Sequence, residues 1–250
     1  MCTAFVNWCK ENRVRMPKLE FPAYFEDGTV GVRATEPINH REAFIGVPFC
    51  ITMNLQGARE DEVLGKIIEE NPKVLGASAP IAAQMVLTLY VIHEHLKGAD
   101  SFWKPYIDLM ALSNQRPSCA WSEDLIDGMQ DIKMKKELEN LNKGLGEAWE
   151  ELSKALADYQ HIFPPNVVNY AMFEKFFVQV CRRIDSVNEE LQMLIPMVDC
   201  LNLSDSSISK ELINTQLHLE ANPISDYHAT EKYMNDYSSH FAPEEYKGDK

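Results

Sequence analysis

Between Ile81 and Leu96 the chain reads IAAQMVLTLYVIHEHL, and only Gln84 and Thr88 interrupt the apolar run from Ile81 to Ile92. A helix that is apolar on nearly every side has no face to give to water, so other elements must surround it. The pattern predicts a helix over about 81–96 at the centre of a helical core. Pro80 suits its first turn, where the missing N–H costs nothing. The run is too short to span a bilayer. His93 and His95, two apart near its end, cannot share a face and do not form the H-E-x-x-H zinc arrangement; they read as exposed helix-end histidines.

The segments around it are also helical. From Glu60 to Glu70, Val63, Leu64, Ile67 and Ile68 fall on one face. From about Lys133 to Tyr159, Leu138, Leu141, Leu145, Trp149, Leu152, Leu156 and Tyr159 recur at spacings of three and four, in a stripe weakened by Gly144 and Gly146. Packing on the chain's own helices is preferred to a coiled coil with a partner, because the flanking charges are not clearly patterned. Ser122-Glu123-Asp124 offers a cap with first-turn acids. Pro164-Pro165 breaks the pattern, and Tyr170 to Arg183 resumes it with Phe173, Phe176, Phe177 and Val180 inward. Arg182 and Arg183 end that helix, where cations complement its dipole. Ser101-Phe102-Trp103-Lys104-Pro105-Tyr106-Ile107 reads as a core-anchoring loop. Truncating Phe102 or Trp103 to alanine is expected to cost about 3–5 kcal/mol each if the rings are buried.

The first fifty-odd residues differ. A short helix over 3–13 docks the N-terminus. Pro17 and Pro22 exclude a helix, Asp27-Gly28 is a turn signal, and Thr29 to Ala34 reads as a strand. Gly31 inside it marks either a bulge or close approach by a ligand or another backbone. Ala43 to Pro48 is expected as a second short strand and Ile51 to Met53 as a third. These are too few to close a sheet and need partners from later in the chain. Leu194 to Leu203 (LIPMVDCLNL) reads as a buried strand-like run turning into a polar knot that places Asp199 and Asn202 three apart. A small-molecule site, if there is one, is expected here. After Ser204 the chain turns polar. Ile213 to Leu219 alternates like one more strand, and beyond about residue 223 no core-forming pattern remains.

Composition narrows the function. The formal charge of −14 argues against a general nucleic-acid surface, which needs a basic face. The six cysteines form no C-x-x-C pair and no zinc spacing, and the start MCTAFVNWCKENR lacks a signal-peptide core. Reduced thiols in a cytoplasmic compartment follow.

Four segments in order carry a family resemblance. Gly31-Val32-Arg33-Ala34-Thr35-Glu36-Pro37-Ile38 is similar to the first motif of SET-domain protein methyltransferases, with the Phe44 to Pro48 segment following. Ser101 to Ile107 resembles the insert signature of the branch with a large helical insert, the branch of the Rubisco large-subunit and actin-histidine methyltransferases. Tyr170 to Arg183 looks like the helix that ends that insert. Leu194 to Asn202 resembles the family's L-I-P-x-x-D-x-x-N-H. The resemblance covers roughly residues 5–206.

It implies an α+β fold of small SET-type β-sheets with a large, mostly α-helical insert and a poorly ordered C-terminal tail. The implied division is 1–55 for the N-terminal β part, 56–185 for the insert, 186–222 for an incomplete C-terminal SET segment, and 223–250 for the tail. It also implies an S-adenosylmethionine site at Gly31, Arg183 and Asn202, no metal, and in-line methyl transfer to a protein amine or imidazole, governed by alignment and desolvation.

The departures from the pattern bear on activity. Leu203 stands where the family has histidine. The glycine-rich start of the first motif is reduced to Gly28-Thr29-Val30-Gly31, and Met110-Ala111 stands where a proline is usual. No Y-G-x-x-S-N segment follows Asn202; Tyr227, Tyr233, Tyr237 and Tyr246 lack its neighbours. The family's C-terminal helical substrate-binding domain is not found either, which reads as a fragment or as a natural short form. The reading placed first is a non-catalytic SET-derived module acting as a subunit of a larger protein assembly. The alternative is an active protein-lysine methyltransferase whose remainder lies outside this sequence.

Overall fold

The computed structural model describes residues 2–26, 28–39, 43–79, 81–112, 123–186 and 192–201. Asp27, Pro80, Ser122, Asn202, Leu203, the expected strand at Ile213 to Leu219 and the polar tail lie outside them. Met53–Ile184 forms one compact unit, and the described residues before Met53 and after Ile184 form another.

The β-rich unit opens with α1 (Cys2–Glu11), whose Phe5, Trp8 and Cys9 face inward. Strand β1 (Leu19–Tyr24) follows and pairs antiparallel with β2 (Val30–Ala34). The sequence pattern points to β2 but not to β1, because Pro22 lies in its middle. The register shows how the proline is accommodated. Glu20 pairs with Arg33 and Ala23 with Gly31, so Phe21 and Pro22 together oppose Val32. The extra residue is a bulge, and the position without an N–H sits where the ladder is already interrupted. The bulge therefore lies in the strand facing Gly31, while Gly31 itself is in register and buried. Gly28, at φ +82, closes the turn by donating its N–H to the Phe25 carbonyl at 3.0 Å.

Ala43 to Pro48 is not the expected strand. Its pairing is one bridge, Arg15 to Gly46, with N–H···O distances of 2.9 and 2.8 Å. The next hydrogen-bonded pairs of such a ladder would fall two residues away on either side, at Arg13 with Pro48 and at Pro17 with Phe44. Each contains a proline that cannot donate, so the ladder stops after one rung. Phe49–Ile51 is a 3-10 turn rather than a strand; the extended pair Met53–Asn54 (β3) already belongs to the helical unit. At the other end of the chain, β4 (Ile184–Ser186) lies beside β5 (Gln192–Leu194).

The helical unit runs α2 (Leu55–Glu60), α3 (Glu62–Glu70), α4 (Pro72–Leu75), α5 (Ala82–Lys97), α6 (Lys104–Ala111), α7 (Glu123–Asp127), α8 (Ile132–Ala155) and α9 (Tyr170–Arg183). Its helix starts follow capping chemistry. Asn54 accepts from Gly57 N, Asp61 from Val63 N and Leu64 N, Asp131 from Lys133 N and Met134 N, and Asn169 from Met172 N. Helix α5 is the hub: every residue from Met85 to Glu94 is buried, with α9, α2, α4 and α6 against it. Helix α8 packs along Leu138, Leu145 and Leu152, while Leu141 is exposed. Trp149 of α8 meets Phe173 of α9 at 5.4 Å between ring centroids.

Two expectations fail here. His93 is buried (6% exposed), because α5 has no water-facing side at that turn; its ring packs at 5.6 Å from Phe163. His95 is half-buried against Phe176 at 5.0 Å. Phe102 is 45% exposed and lies outside the core, since α6 begins at Lys104 and turns Tyr106, Ile107 and Met110 inward instead. Trp103 is half-buried, edge-on to Tyr90 at 5.4 Å.

Candidate functional site

The knot expected after Leu194 is present up to its last described residue. From β5 the backbone stays buried through Val198, then tightens into a 3-10 turn over Val198–Cys200. Met197 takes a left-handed φ of +75, uncommon for a residue with a long side chain. This reversal lets Cys200 N reach the Met197 carbonyl at 3.1 Å and Leu201 N reach the Val198 carbonyl at 3.1 Å. Asp199 accepts a weak bond from the Cys200 thiol at 3.6 Å. Its charge also acts on the buried Cys9 of α1. Burial, and then Asp199, push the Cys9 thiol up to about 12, so it stays protonated and is no nucleophile.

The three residues implied as cofactor contacts have these places. Gly31 is buried in β2 opposite Ala23. Arg183 is the last residue of α9, and its guanidinium donates to the side-chain oxygen and the carbonyl of Gln179, one turn earlier. Asn202 lies just past the described residues. Whether these residues call for a ligand can be tested on the polar atoms left over. Among the described residues, buried side-chain atoms without a hydrogen-bond partner include His93 Nδ1, Asn142 Oδ1 and Gln192 Oε1. None belongs to Arg183, and Gly31 has no side chain to contribute one. No group of His, Cys, Asp and Glu among the described residues has the arrangement of a metal site.

The helical unit holds a polar cluster with no counterpart in the sequence motifs. Glu94 is buried on α5 yet answered on both oxygens, by Lys97 Nζ at 2.5 Å and Ser101 Oγ at 2.6 Å. Asp61 caps α3 with Oδ1 and turns Oδ2 toward His93 Nε2 and Lys97 Nζ, each at 3.6 Å. Burial opposes the Asp61 charge, but the Leu64 and Val63 N–H groups and the cations of His93 and Lys97 outweigh it, holding the carboxyl below its usual value. Burial, with Lys97, holds His93 below the ordinary imidazole value despite Asp61 and Glu94. Burial and the carboxylates of Glu94, Asp61 and Glu60 push the Tyr90 phenol up. The cluster therefore sets a buried imidazole, held below its ordinary value, beside a carboxylate held below its own. Its sequence trace was faint: Asp61 placed before a Val-Leu pair is a cap signal, and Glu94 three before Lys97 is a helix pair.

A bulged hairpin, a helical insert and a buried strand turning into a tight knot define the fold of the SET-domain methyltransferases, in the form with a helical insert. The chain is SET-methyltransferase-like in sequence as well as in fold. It is 25% identical over 156 residues to the human (Homo sapiens) actin-histidine N-methyltransferase, a match covering 62% of this chain and 25% of that protein. It is 30% identical over 112 residues to the Mus musculus protein of that name, covering 45% of this chain and 18% of that one. Among solved structures, the SET domain of LSMT bound to MeLysine and AdoHcy superposes with a TM-score of 0.65 at 20% identity, covering 82% of this chain and 45% of that one. Rubisco LSMT bound to AdoMet gives a TM-score of 0.63 at 20% identity, with the same coverage. No family model matches the sequence. The chain spans about a quarter of the length of the curated relatives it matches. No helix among the described residues is long and apolar enough to cross a membrane.

Proposed function

We propose that this chain is a SET-type module that works as a structural or interaction subunit of a larger protein assembly and does not itself transfer methyl groups. The observation that carries this reading is Leu203, an aliphatic side chain where the resembled motif has the histidine that follows Asn202. An isobutyl group can neither donate nor accept a hydrogen bond. The Arg183 guanidinium, engaged by Gln179 of its own helix, adds support. On this reading Gly31, Arg183 and Asn202 are remnants of an S-adenosylmethionine set. The sequence divides by role as 1–55, 56–185 and 186–222 with a tail at 223–250, and the insert and the acidic tail are the contact surfaces for a protein partner. The five described cysteines are free thiols, which supports a reducing, cytoplasmic setting and a pseudoenzyme that needs no disulfide.

A second reading is favoured by the likeness to proteins named as actin-histidine N-methyltransferases and to a chain solved with AdoMet. On it, this chain is part of an active protein methyltransferase, and S-adenosylmethionine would supply the methyl group. Calorimetry with S-adenosylmethionine at near-millimolar ligand separates the two. The non-catalytic reading expects no heat and no shift in melting temperature. Methyl transfer from labelled cofactor to any protein by the purified chain would overturn it.

A further inference from the structure

The β-rich unit contains a cleft of about 510 Å³ between α1 and β1 whose described lining includes neither Gly31 nor Arg183. Its lining alternates between two kinds of side chain. Val6, Cys9, Val14, Met16, Leu19 and Phe21 supply apolar surface, and Lys10, Arg15 and Glu20 supply charge. The volume falls within the range of sites for small organic ligands, which combine apolar walls with a few polar groups that fix orientation.

The charges are not balanced. Glu20 is answered from outside the lining by Arg33, at 2.7 Å. Lys10 and Arg15 are exposed and have no carboxylate within ion-pair distance among the described residues. In a chain of formal charge −14, two lining cations with no ion pair among the described residues are a local reversal of sign. Cys9 does not alter this balance, since its thiol stays protonated and acts as wall. The packing beneath is firm: Phe5 stacks on Trp8 at 6.1 Å and meets Phe21 edge-on at 6.0 Å.

We propose that this cleft binds a small amphipathic anion, its apolar body against Val6, Val14, Met16, Leu19 and Phe21 and its acidic head facing Lys10 and Arg15. The cations choose the sign of the ligand and the apolar walls supply most of the burial.

The test uses the full chain and three probes that share one ten-carbon tail: decanoate, decan-1-ol and decylamine. Displacement of 8-anilinonaphthalene-1-sulfonate fluorescence, checked by calorimetry, reads the affinities. Decanoate is expected to bind about tenfold more tightly than decan-1-ol, and decylamine more weakly than either. Lys10→Gln and Arg15→Gln, at exposed positions where the fold is not at stake, are each expected to cost decanoate several-fold and to leave decan-1-ol unchanged. Val6→Trp, which fills the cleft, is expected to abolish binding of both, with the melting temperature read in parallel. Equal affinity for decanoate and decan-1-ol, no binding of any probe, or insensitivity to both charge removals would each overturn the proposal. All these readouts are independent of methyl transfer, so the fate of the non-catalytic reading does not affect them.

Discussion

The two units are stabilised in different ways. The helical unit is organised around one segment: α5 is buried from Met85 to Glu94, and α3, α6 and α9 bring apolar faces to it. The β-rich unit has no such segment. Its hairpin is bulged at Phe21-Pro22, its next ladder stops after one rung, and its core is assembled from α1, the hairpin and the run after Gln192. The faces that meet in the first unit can be read from helical periodicity even where α5 and α9 are far apart in sequence, whereas the bulge and the one-rung ladder of the second follow from where its prolines fall. A proline two residues from the Arg15–Gly46 bridge on each side changes the outcome more than the apolar composition of Ala43 to Pro48 does.

The sharpest way to break this contrast is to remove one fully buried ring from each unit. Phe173→Ala takes away the partner of Trp149 and Phe177, and Phe5→Ala takes away the partner of Trp8 and Phe21. Both are expected to cost about 3–5 kcal/mol in a denaturant melt. Amide exchange should then place the Phe173 effect in α5, α8 and α9 and the Phe5 effect in α1 and the hairpin. A Phe5→Ala loss below about 1 kcal/mol would mean that the β-rich unit lacks a core of its own.

The polar cluster on α5 is a second contrast, because it is charged where the rest of the hub is apolar. Asp61→Ala removes a cap and the anion facing His93 and Lys97, and is expected to cost about 1–2 kcal/mol. Asp61→Asn keeps the cap and should recover most of that; failure to recover would assign the loss to charge instead. The pH dependence has a definite sign. His93 is held below its ordinary 6.5, so the unfolded chain binds the proton more readily. Its contribution is present above about pH 6.5 and is lost as pH falls through that value toward the folded one. Asp61, held below 3.8, acts only further down, its contribution vanishing as pH falls through the folded value. His93→Gln should flatten the upper step of a stability–pH curve and leave the lower one.

These contrasts also explain what the sequence made legible. The helix from Tyr170 to Arg183 and the hub over 81–96 stand out because a period of 3.6 repeats over several turns, and the structure has them at Tyr170–Arg183 and Ala82–Lys97. The knot after Leu194 is visible because a short apolar run containing Pro196 leads into Asp199 and Asn202, three apart. Strand β1 was hidden by Pro22, since a proline inside a strand is tolerated only where a bulge removes the need for its N–H. The burial of His93 and the exposure of Phe102 were hidden because residue type suggested the reverse. A helix apolar on all sides takes its polar residues inside with it, and the turn before α6 leaves one ring outside. Of the candidate cofactor set, Gly31 and Arg183 have clear local roles in pairing and in helix ending, which no spacing rule separates from ligand contact.

Phe102 gives a smaller test of the same point. With nearly half its surface in water, Phe102→Ala should lose little more than the edge-to-face contact with Trp103 at 5.1 Å, about 0.5–1.5 kcal/mol. Trp103→Ala should cost more, because that ring also meets Tyr90. Equal losses for the two would restore Phe102 to the core.

The smallest expected effect concerns the hairpin. Arg33 and Glu20 are directly paired across β1 and β2, and the guanidinium reaches the carboxylate through two nitrogens at 2.7 and 3.2 Å. Such geometry invites the view that the ion pair holds the hairpin together. Both side chains are about half exposed, however, so water and salt screen the attraction while two long side chains lose freedom to make it. Arg33→Ala is therefore expected to change stability by at most about 1 kcal/mol, and by less at high salt. Glu20→Ala should behave alike, and the double variant should show little coupling. If either single change cost as much as Phe5→Ala, the hairpin would rest on its surface charges, and the contrast between a hub-centred unit and one assembled from distant apolar contacts would have to be redrawn.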